Sequence, residues 1–158
     1  MIPIGNLSVV EPRTCSPGTL LIRNARYERN PILICGDDQA THYLELPTEQ
    51  REHFVLKQMV QNLGPYVQLR DFEIFCDPSE IISPSRSDIP PGALCLINDQ
   101  PCISLWRDYT SAYIGLDGKF VDEDFDNFVA FQKWVIKTKS VGEQMATVFE
   151  YLAQPRES

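Results

Sequence analysis

The densest group of potential metal ligands in the chain is the acidic run Asp122-Glu123-Asp124-Phe125-Asp126. Its alternating aspartates match the opening of a calcium-binding loop, which also needs a glycine at position six and a glutamate at position twelve. Asn127 and Lys133 occupy those two positions, so the run does not predict a calcium site. We interpret it as the acidic start of a helix, because carboxylates stabilise the positive end of a helix dipole.

A second set of residues that could bind a metal or act in catalysis lies close together in the sequence. It consists of Cys35, Asp37, Asp38 and His42. Sulfur, imidazole and carboxylate groups bind transition metals, and a cysteine beside a histidine can act as a nucleophile. Cys35 lies in an apolar run, however, where a free thiol commonly behaves as a small buried hydrophobe. We therefore predict that the chain holds no metal and no cofactor.

Paired carboxylates offer another route to catalysis, since acid–base hydrolysis needs two acids at a suitable separation. Asp37, Asp38 and Asp108 end predicted strands at matching places in the chain, and strand-end loops commonly carry functional sites. With 22 acidic residues in the sequence, such coincidences are also expected by chance. A small hydrolase-type enzyme with these three acids in its pocket is therefore the alternative prediction.

Aromatic residues suggest a binding site instead. Trp106, Arg107 and Tyr109 lie on or beside one predicted hairpin, and these residue types are enriched at the centres of protein interfaces. We predict that they anchor a protein partner, although large aromatic side chains in strands commonly pack in the core. The acids expected to attract that partner are Asp122, Glu123 and Asp124.

The net charge restricts the class of partner. The 14 basic and 22 acidic residues give a net charge of −8, which disfavours nucleic acid because phosphate recognition needs a basic face. No stretch approaches the ~18 consecutive apolar residues of a membrane span, so no membrane partner is predicted. We expect a basic protein partner and leave a homodimer open.

Cysteine usage predicts a cytoplasmic protein, as does a start that lacks the features of a secretory signal. The five cysteines are odd in number and form no C-x-x-C pair. We expect Cys35, Cys76 and Cys95 to be reduced and buried. A disulfide between Cys95 and Cys102, across a hairpin turn at Asn98-Asp99, is left open because it needs an oxidising compartment.

Two parts of the sequence resemble each other. Residues 17–24 resemble residues 91–98, since both segments begin with Pro-Gly and continue as an apolar run. Residues 31–46 align with residues 101–116, with identities at Pro31/Pro101, Asp38/Asp108, Tyr43/Tyr113 and Leu46/Leu116. The shared order of these segments favours internal duplication of a strand-hairpin-strand-helix unit.

The fold class follows from the apolar patterns. Turn signals and short β-rich runs predict strands over residues 19–24, 32–35, 41–46, 65–71, 72–76, 93–97, 102–106, 111–116 and 119–121. Apolar residues at helical spacing predict three helices, over residues 49–63, 123–137 and 140–152. Trp134 points away from the apolar side of the second helix, so the last helix or a partner must cover it.

We therefore predict an α+β fold, mainly an antiparallel β sheet or small barrels covered by three helices. The predicted units are residues 1–64 and residues 65–138, followed by a C-terminal helix and tail over 139–158, all packed as one globule. The leading functional prediction is a non-enzymatic, acidic binding or regulatory module that acts through protein–protein contacts. The alternatives are the carboxylate hydrolase and a self-assembling structural subunit that uses exposed β edges.

Overall fold

The computed structural model describes residues 1–27, 29–36, 40–48, 53–82, 89–107, 110–121, 128–139 and 144–154. Strands account for 57% of these residues and helical turns for 7%. The helical turns are three short 3-10 helices at Ile4–Asn6, Pro12–Thr14 and Pro78–Glu80. The prediction of an α+β fold covered by helices is therefore wrong, because the described chain is almost entirely antiparallel β structure with no helix of seven or more residues. None of its helices is long and apolar enough to span a membrane.

The first sheet uses six strands from the N-terminal part of the chain. They are β1 (Leu7–Val10), β2 (Leu20–Asn24), β3 (Ile32–Gly36), β4 (Thr41–Glu45), β5 (Val55–Gln58) and β6 (Tyr66–Leu69). All neighbours are antiparallel, in the order β1-β6-β2-β3-β4-β5. β6 thus inserts between β1 and β2, although it lies beyond residue 64, the predicted end of the first unit.

The second sheet has the same construction. Its strands are β8 (Ile81–Ile82), β9 (Leu94–Ile97), β10 (Gln100–Arg107), β11 (Thr110–Gly115), β12 (Phe120–Val121) and β13 (Phe128–Phe131). Their order, β8-β13-β9-β10-β11-β12, repeats that of the first sheet strand for strand, again with every pair antiparallel.

The registers of the two sheets also match. Residues directly opposite each other form one row across the first sheet, namely Leu7, Leu69, Leu20, Leu33, Leu44 and Leu56. The corresponding row across the second sheet is Ile81, Phe131, Leu94, Ile103, Ile114 and Phe120. Each residue of one row holds the same place in the strand order as its counterpart, so the two halves share both topology and register.

The Pro-Gly turns repeat the same hydrogen bonds. The Gly18 N–H donates to the Ile34 carbonyl at 2.8 Å, and the Gly92 N–H donates to the Ser104 carbonyl at 2.7 Å. These bonds hold each turn against β3 or β10, the second strand of the hairpin that the turn precedes. The sequence similarity and the shared registers both favour a duplicated unit, but the unit contains six strands and, among its described residues, no helix of seven or more residues.

The core forms where the two sheets face each other. Opposite residues of antiparallel strands project to the same face. Except for Ile81 and Phe131, the residues of both rows belong to one apolar cluster or pack against it. The opposite face of each sheet carries a smaller cluster of its own, so both sheets are apolar on both sides.

A third sheet joins the two halves. It consists of β7 (Glu73–Cys76), β14 (Lys133–Lys139) and β15 (Met145–Leu152), in the antiparallel order β15-β14-β7. β7 directly follows β6, and β14 directly follows β13, so the two strands that pair here hold the same place in their halves. Trp134, Ile136 and Phe149 of this sheet enter the shared core.

Where the structure describes the three predicted helices, they consist of strands and irregular segments. Residues 123–137 contain β13 and most of β14, where Trp134, Ile136 and Thr138 are buried and the intervening residues are more exposed. This period of two is the pattern of a half-buried strand. β5 and β15 likewise occupy the other two predicted helices, whose apolar spacing is compatible with both structures.

The cysteines are all free. Cys95 and Cys102 are register partners across the Asn98-Asp99 turn, whose two residues have positive φ angles of 48° and 63°. Burial raises the pKa of Cys95 to about 12 and the pKa of Cys102 to about 11. Cys35 is also fully buried, whereas Cys76 is only partly buried.

Candidate functional site

Trp106 lies near the end of β10 with 49% of its surface exposed. Its neighbour Leu105 is 5% exposed and belongs to the shared core. Successive residues of a strand point to opposite faces, so Trp106 lies on the face of β10 opposite to Leu105, and at the end of the strand it is half exposed. The predicted anchor residue is therefore at the surface, on a strand held by six register pairs to β11.

Two grooves adjoin Trp106. The first, of about 510 Å³, is lined by His53, Phe54, Pro91, Leu105, Trp106 and Tyr151. The second, of about 340 Å³, is lined by His42, Phe54, Val55, Leu56, Gln58, Leu105 and Trp106. Because they share Phe54, Leu105 and Trp106, we treat them as one surface and call it the Trp106 grooves. Their lining comes from all three sheets and from the Pro91-Gly92 turn.

An aromatic cluster forms the floor of the Trp106 grooves. The Phe54 ring lies 4.9 Å from the Tyr151 ring in an edge-on arrangement and stacks on Trp134 at 6.2 Å. Trp134 is fully buried, and its indole N–H donates a 2.8 Å hydrogen bond to the Gly92 carbonyl. This side chain is thus covered within the chain, by Phe54 and by Phe149 and Tyr151 of the C-terminal strand.

Gly92 allows this cluster to form. Its φ is +87°, and a Cβ atom built there would lie 2.8 Å from Cε2 of Phe54 and would overlap the Tyr151 ring. Only glycine therefore permits both the left-handed turn and the close approach of the two rings. The turn after Pro91 fixes one wall of the first groove in this way.

Both histidines of the chain line the Trp106 grooves. His42 lies on β4 opposite Gln58, its Nδ1 atom is buried without a hydrogen-bond partner, and its ring meets Phe120 edge-on at 5.9 Å. His53 is exposed in the first groove, not on the predicted helix. The two imidazoles and the Gln58 amide are polar groups of this surface, whose other lining residues are aromatic or aliphatic.

Cys35 and His42, the pair considered as a nucleophile and its base, are register partners on β3 and β4. The Cys35 thiol donates to the Leu33 carbonyl at 3.3 Å rather than to His42. Burial raises the pKa of this thiol to about 12, so it is protonated near neutral pH. A protonated, buried thiol is a poor nucleophile. Within the described residues, no group of three or more histidine, cysteine or acidic side chains is placed to hold a metal ion.

The side chains of the remaining predicted site residues lie outside the described part of the chain. Arg107 ends β10, but the structure describes only its backbone. The other predicted residues lie outside the described residues: Tyr109, Asp122, Glu123 and Asp124 of the binding site, and Asp37, Asp38 and Asp108 of the alternative acidic pocket.

Sequence reasoning missed most of the residues around Trp106. Phe54 and Tyr151 fall within two of the predicted helices, and Pro91 within a predicted Pro-Gly turn. The repeated Pro-Gly turn was the available signal, because it marks a backbone position that other elements can approach closely. No family model, curated protein or solved structure matches the chain, so the site rests on its geometry alone.

Proposed function

We propose that the chain is a binding module that holds an apolar segment of a basic protein partner in the Trp106 grooves. The observation that carries this proposal is the position of Trp106, which is half exposed between two open grooves on a strand fixed to the core. Tryptophan and tyrosine in such positions supply most of the binding energy at many protein interfaces.

The chemistry of the lining favours binding over reaction. The described lining residues supply four aromatic or imidazole rings around the first groove, together with Pro91 and Leu105. They supply no carboxylate, thiol or aliphatic hydroxyl to either groove. Aromatic-lined grooves of this kind hold extended apolar or proline-containing segments, since ring faces provide contact area at low entropic cost.

The charge of the chain supports a basic partner. At a net charge of −8, long-range attraction accelerates the encounter with a positively charged protein. This attraction acts over about 8 Å at physiological ionic strength. Added salt is therefore expected to slow association, while the contacts of Trp106 set the dissociation rate.

The test is selection of peptides from a displayed 12-residue library against the whole chain, followed by affinity measurement. The Trp106→Ala variant should bind the selected peptides at least tenfold more weakly, which corresponds to about 1.4 kcal/mol. Tyr27→Ala is the matched control, because Tyr27 is another exposed aromatic residue, at 58%, and does not line the grooves. Equal loss of binding in both variants, or selected peptides without basic residues, would contradict the proposal.

A further inference from the structure

The third sheet is less symmetric than the two halves that it joins. β7 and β14 hold the same place in their halves and pair with each other, so a local twofold relation exchanges them. β15 adds a strand to the outer edge of β14. Among the described residues, β7 is the last strand on its side of the sheet and has no counterpart of β15.

The hydrogen-bond pattern shows which backbone groups of β7 point outward. The Asp77 N–H donates to the Lys133 carbonyl at 3.3 Å, and antiparallel pairs alternate along a strand. The odd-numbered residues of β7 therefore bond to β14, and the N–H and C=O groups of Ile74 and Cys76 face the open edge. On β14 the equivalent outward groups bond to β15, as the 2.8 Å bond from the Ala153 N–H to the Gln132 carbonyl indicates.

The side chains give this edge two distinct faces. Phe72, Ile74 and Cys76 pack against the shared core and are partly buried. Glu73 and Phe75 are exposed on the other face, where the Lys137 ammonium lies 5.4 Å from the centre of the Phe75 ring. Asp71 and Asp77 flank the strand. The Asp77 carboxylate accepts from the Ser79 N–H and hydroxyl, whereas Glu73 lies opposite Lys137 on its β14 side and faces the open edge on the other. An added strand would therefore need apolar residues toward the core and a basic residue opposite Glu73.

The acidic residues on and beside β7 favour a basic strand over a second copy of this chain at the open edge. Two copies that paired through β7 would bring their acidic residues together, and each copy carries a net charge of −8. Like charges across a strand pair are destabilising, whereas opposite charges stabilise it. Acidic side chains on an edge strand thus discourage pairing with a second copy and attract a basic strand.

We propose that the open edge of β7 binds an extended, basic segment of another protein by strand addition. The incoming strand takes the place on β7 that β15 takes on β14, and its outward groups bond to Ile74 and Cys76. This site lies at the other end of the third sheet from β15, whose Tyr151 lines the Trp106 grooves. It does not depend on the function proposed for those grooves.

The test uses an eight-residue peptide of alternating lysine and valine and measures its affinity by calorimetry. The Ile74→Pro variant should bind at least tenfold more weakly, because proline removes an outward N–H without removing a bond to β14. Glu150→Pro is the matched control, since Glu150 lies on the outward side of β15 at the opposite edge. It should keep the affinity of the unchanged chain, as should Trp106→Ala.

A second probe keeps the test valid if Ile74→Pro folds poorly. The same peptide with N-methyl groups on alternate residues keeps its charge but cannot complete a strand ladder, so it should bind at least tenfold more weakly to the unchanged chain. Hydrogen exchange at the Ile74 and Cys76 amides should slow only with the unmodified peptide.

Three results would overturn the inference. If the N-methylated peptide bound as tightly as the unmodified peptide, charge attraction alone would explain the binding. Loss of binding in Trp106→Ala would place the peptide in the Trp106 grooves, which would support the proposed function and not this site. A dimer in sedimentation that Ile74→Pro converts to a monomer would assign the edge to a second copy of the chain.

Discussion

Replacing Trp134 with phenylalanine should destabilise the chain strongly, although both residues are large and aromatic. The substitution removes the N–H that donates to the Gly92 carbonyl at 2.8 Å, in a region where both residues are buried. A buried carbonyl left without a donor costs about 1–3 kcal/mol. The smaller ring also leaves a cavity beside Phe54 and Phe149, which adds roughly 1 kcal/mol.

We therefore expect Trp134→Phe to lower the free energy of unfolding by about 2–4 kcal/mol. For a chain of this size that corresponds to a fall in Tm of about 5–15 °C. Urea unfolding followed by far-UV circular dichroism measures the first quantity, and a thermal scan measures the second.

The second tryptophan provides the control for this experiment. Trp106 is 49% exposed, so Trp106→Phe should change the free energy of unfolding by less than about 1 kcal/mol. Equal loss of stability in the two variants, or a loss below about 1 kcal/mol in Trp134→Phe, would refute the placement of Trp134 in the core.

Three further predictions concern stability. Gly92→Ala should cost about 2–4 kcal/mol, because alanine is strained at a φ of +87° and its Cβ meets two rings, whereas Gly5→Ala, with open space around it, should be nearly neutral in the same urea assay. Cys35 and Cys95 stay protonated in the folded chain, with pKa values of about 12, while the unfolded thiols ionise near 9.0. The free energy of unfolding should therefore fall as pH rises above about 9, and a Cys35→Ala/Cys95→Ala variant should show a flatter profile between pH 8 and 10.5. Asn24→Ala should cost about 2–4 kcal/mol in thermal unfolding, since this buried side chain donates to one backbone carbonyl and accepts from two N–H groups; a cost below about 0.5 kcal/mol would contradict the reasoning.

Eight of the twelve strands of the two repeated sheets could be predicted from local sequence, namely β2, β3, β4, β6, β9, β10, β11 and β12. Pro-Gly before a β-rich run located the starts of β2 and β9, and the alternation of Leu44 with Leu46 and of Ile114 with Leu116 identified β4 and β11. These signals are local, because a turn residue and a period of two act within a few positions. The similarity between the halves was visible for the same reason.

The rest of the fold depends on tertiary pairing. Residues 128–139 contain aromatic and β-branched side chains that fit either a helical stripe or a strand, and the choice is made by β9 and β7, to which they pair. Such pairing lets tertiary structure override local propensity. Trp106 could be predicted as a binding residue from its type and its hairpin. Phe54 and Tyr151 come from distant parts of the sequence, and no local pattern places them beside Trp106.

The division of strand pairs between the three sheets has a consequence for the folding kinetics. Every ladder of the first sheet joins residues between 7 and 69, and every ladder of the second joins residues between 81 and 131. Each sheet can therefore nucleate on its own, without the entropic cost of closing a loop through the other half. The pairing of Glu73–Cys76 with β14 must instead wait until both halves have collapsed. We expect the ladder between β7 and β14 to form last during refolding, and its amides to open first in native-state hydrogen exchange.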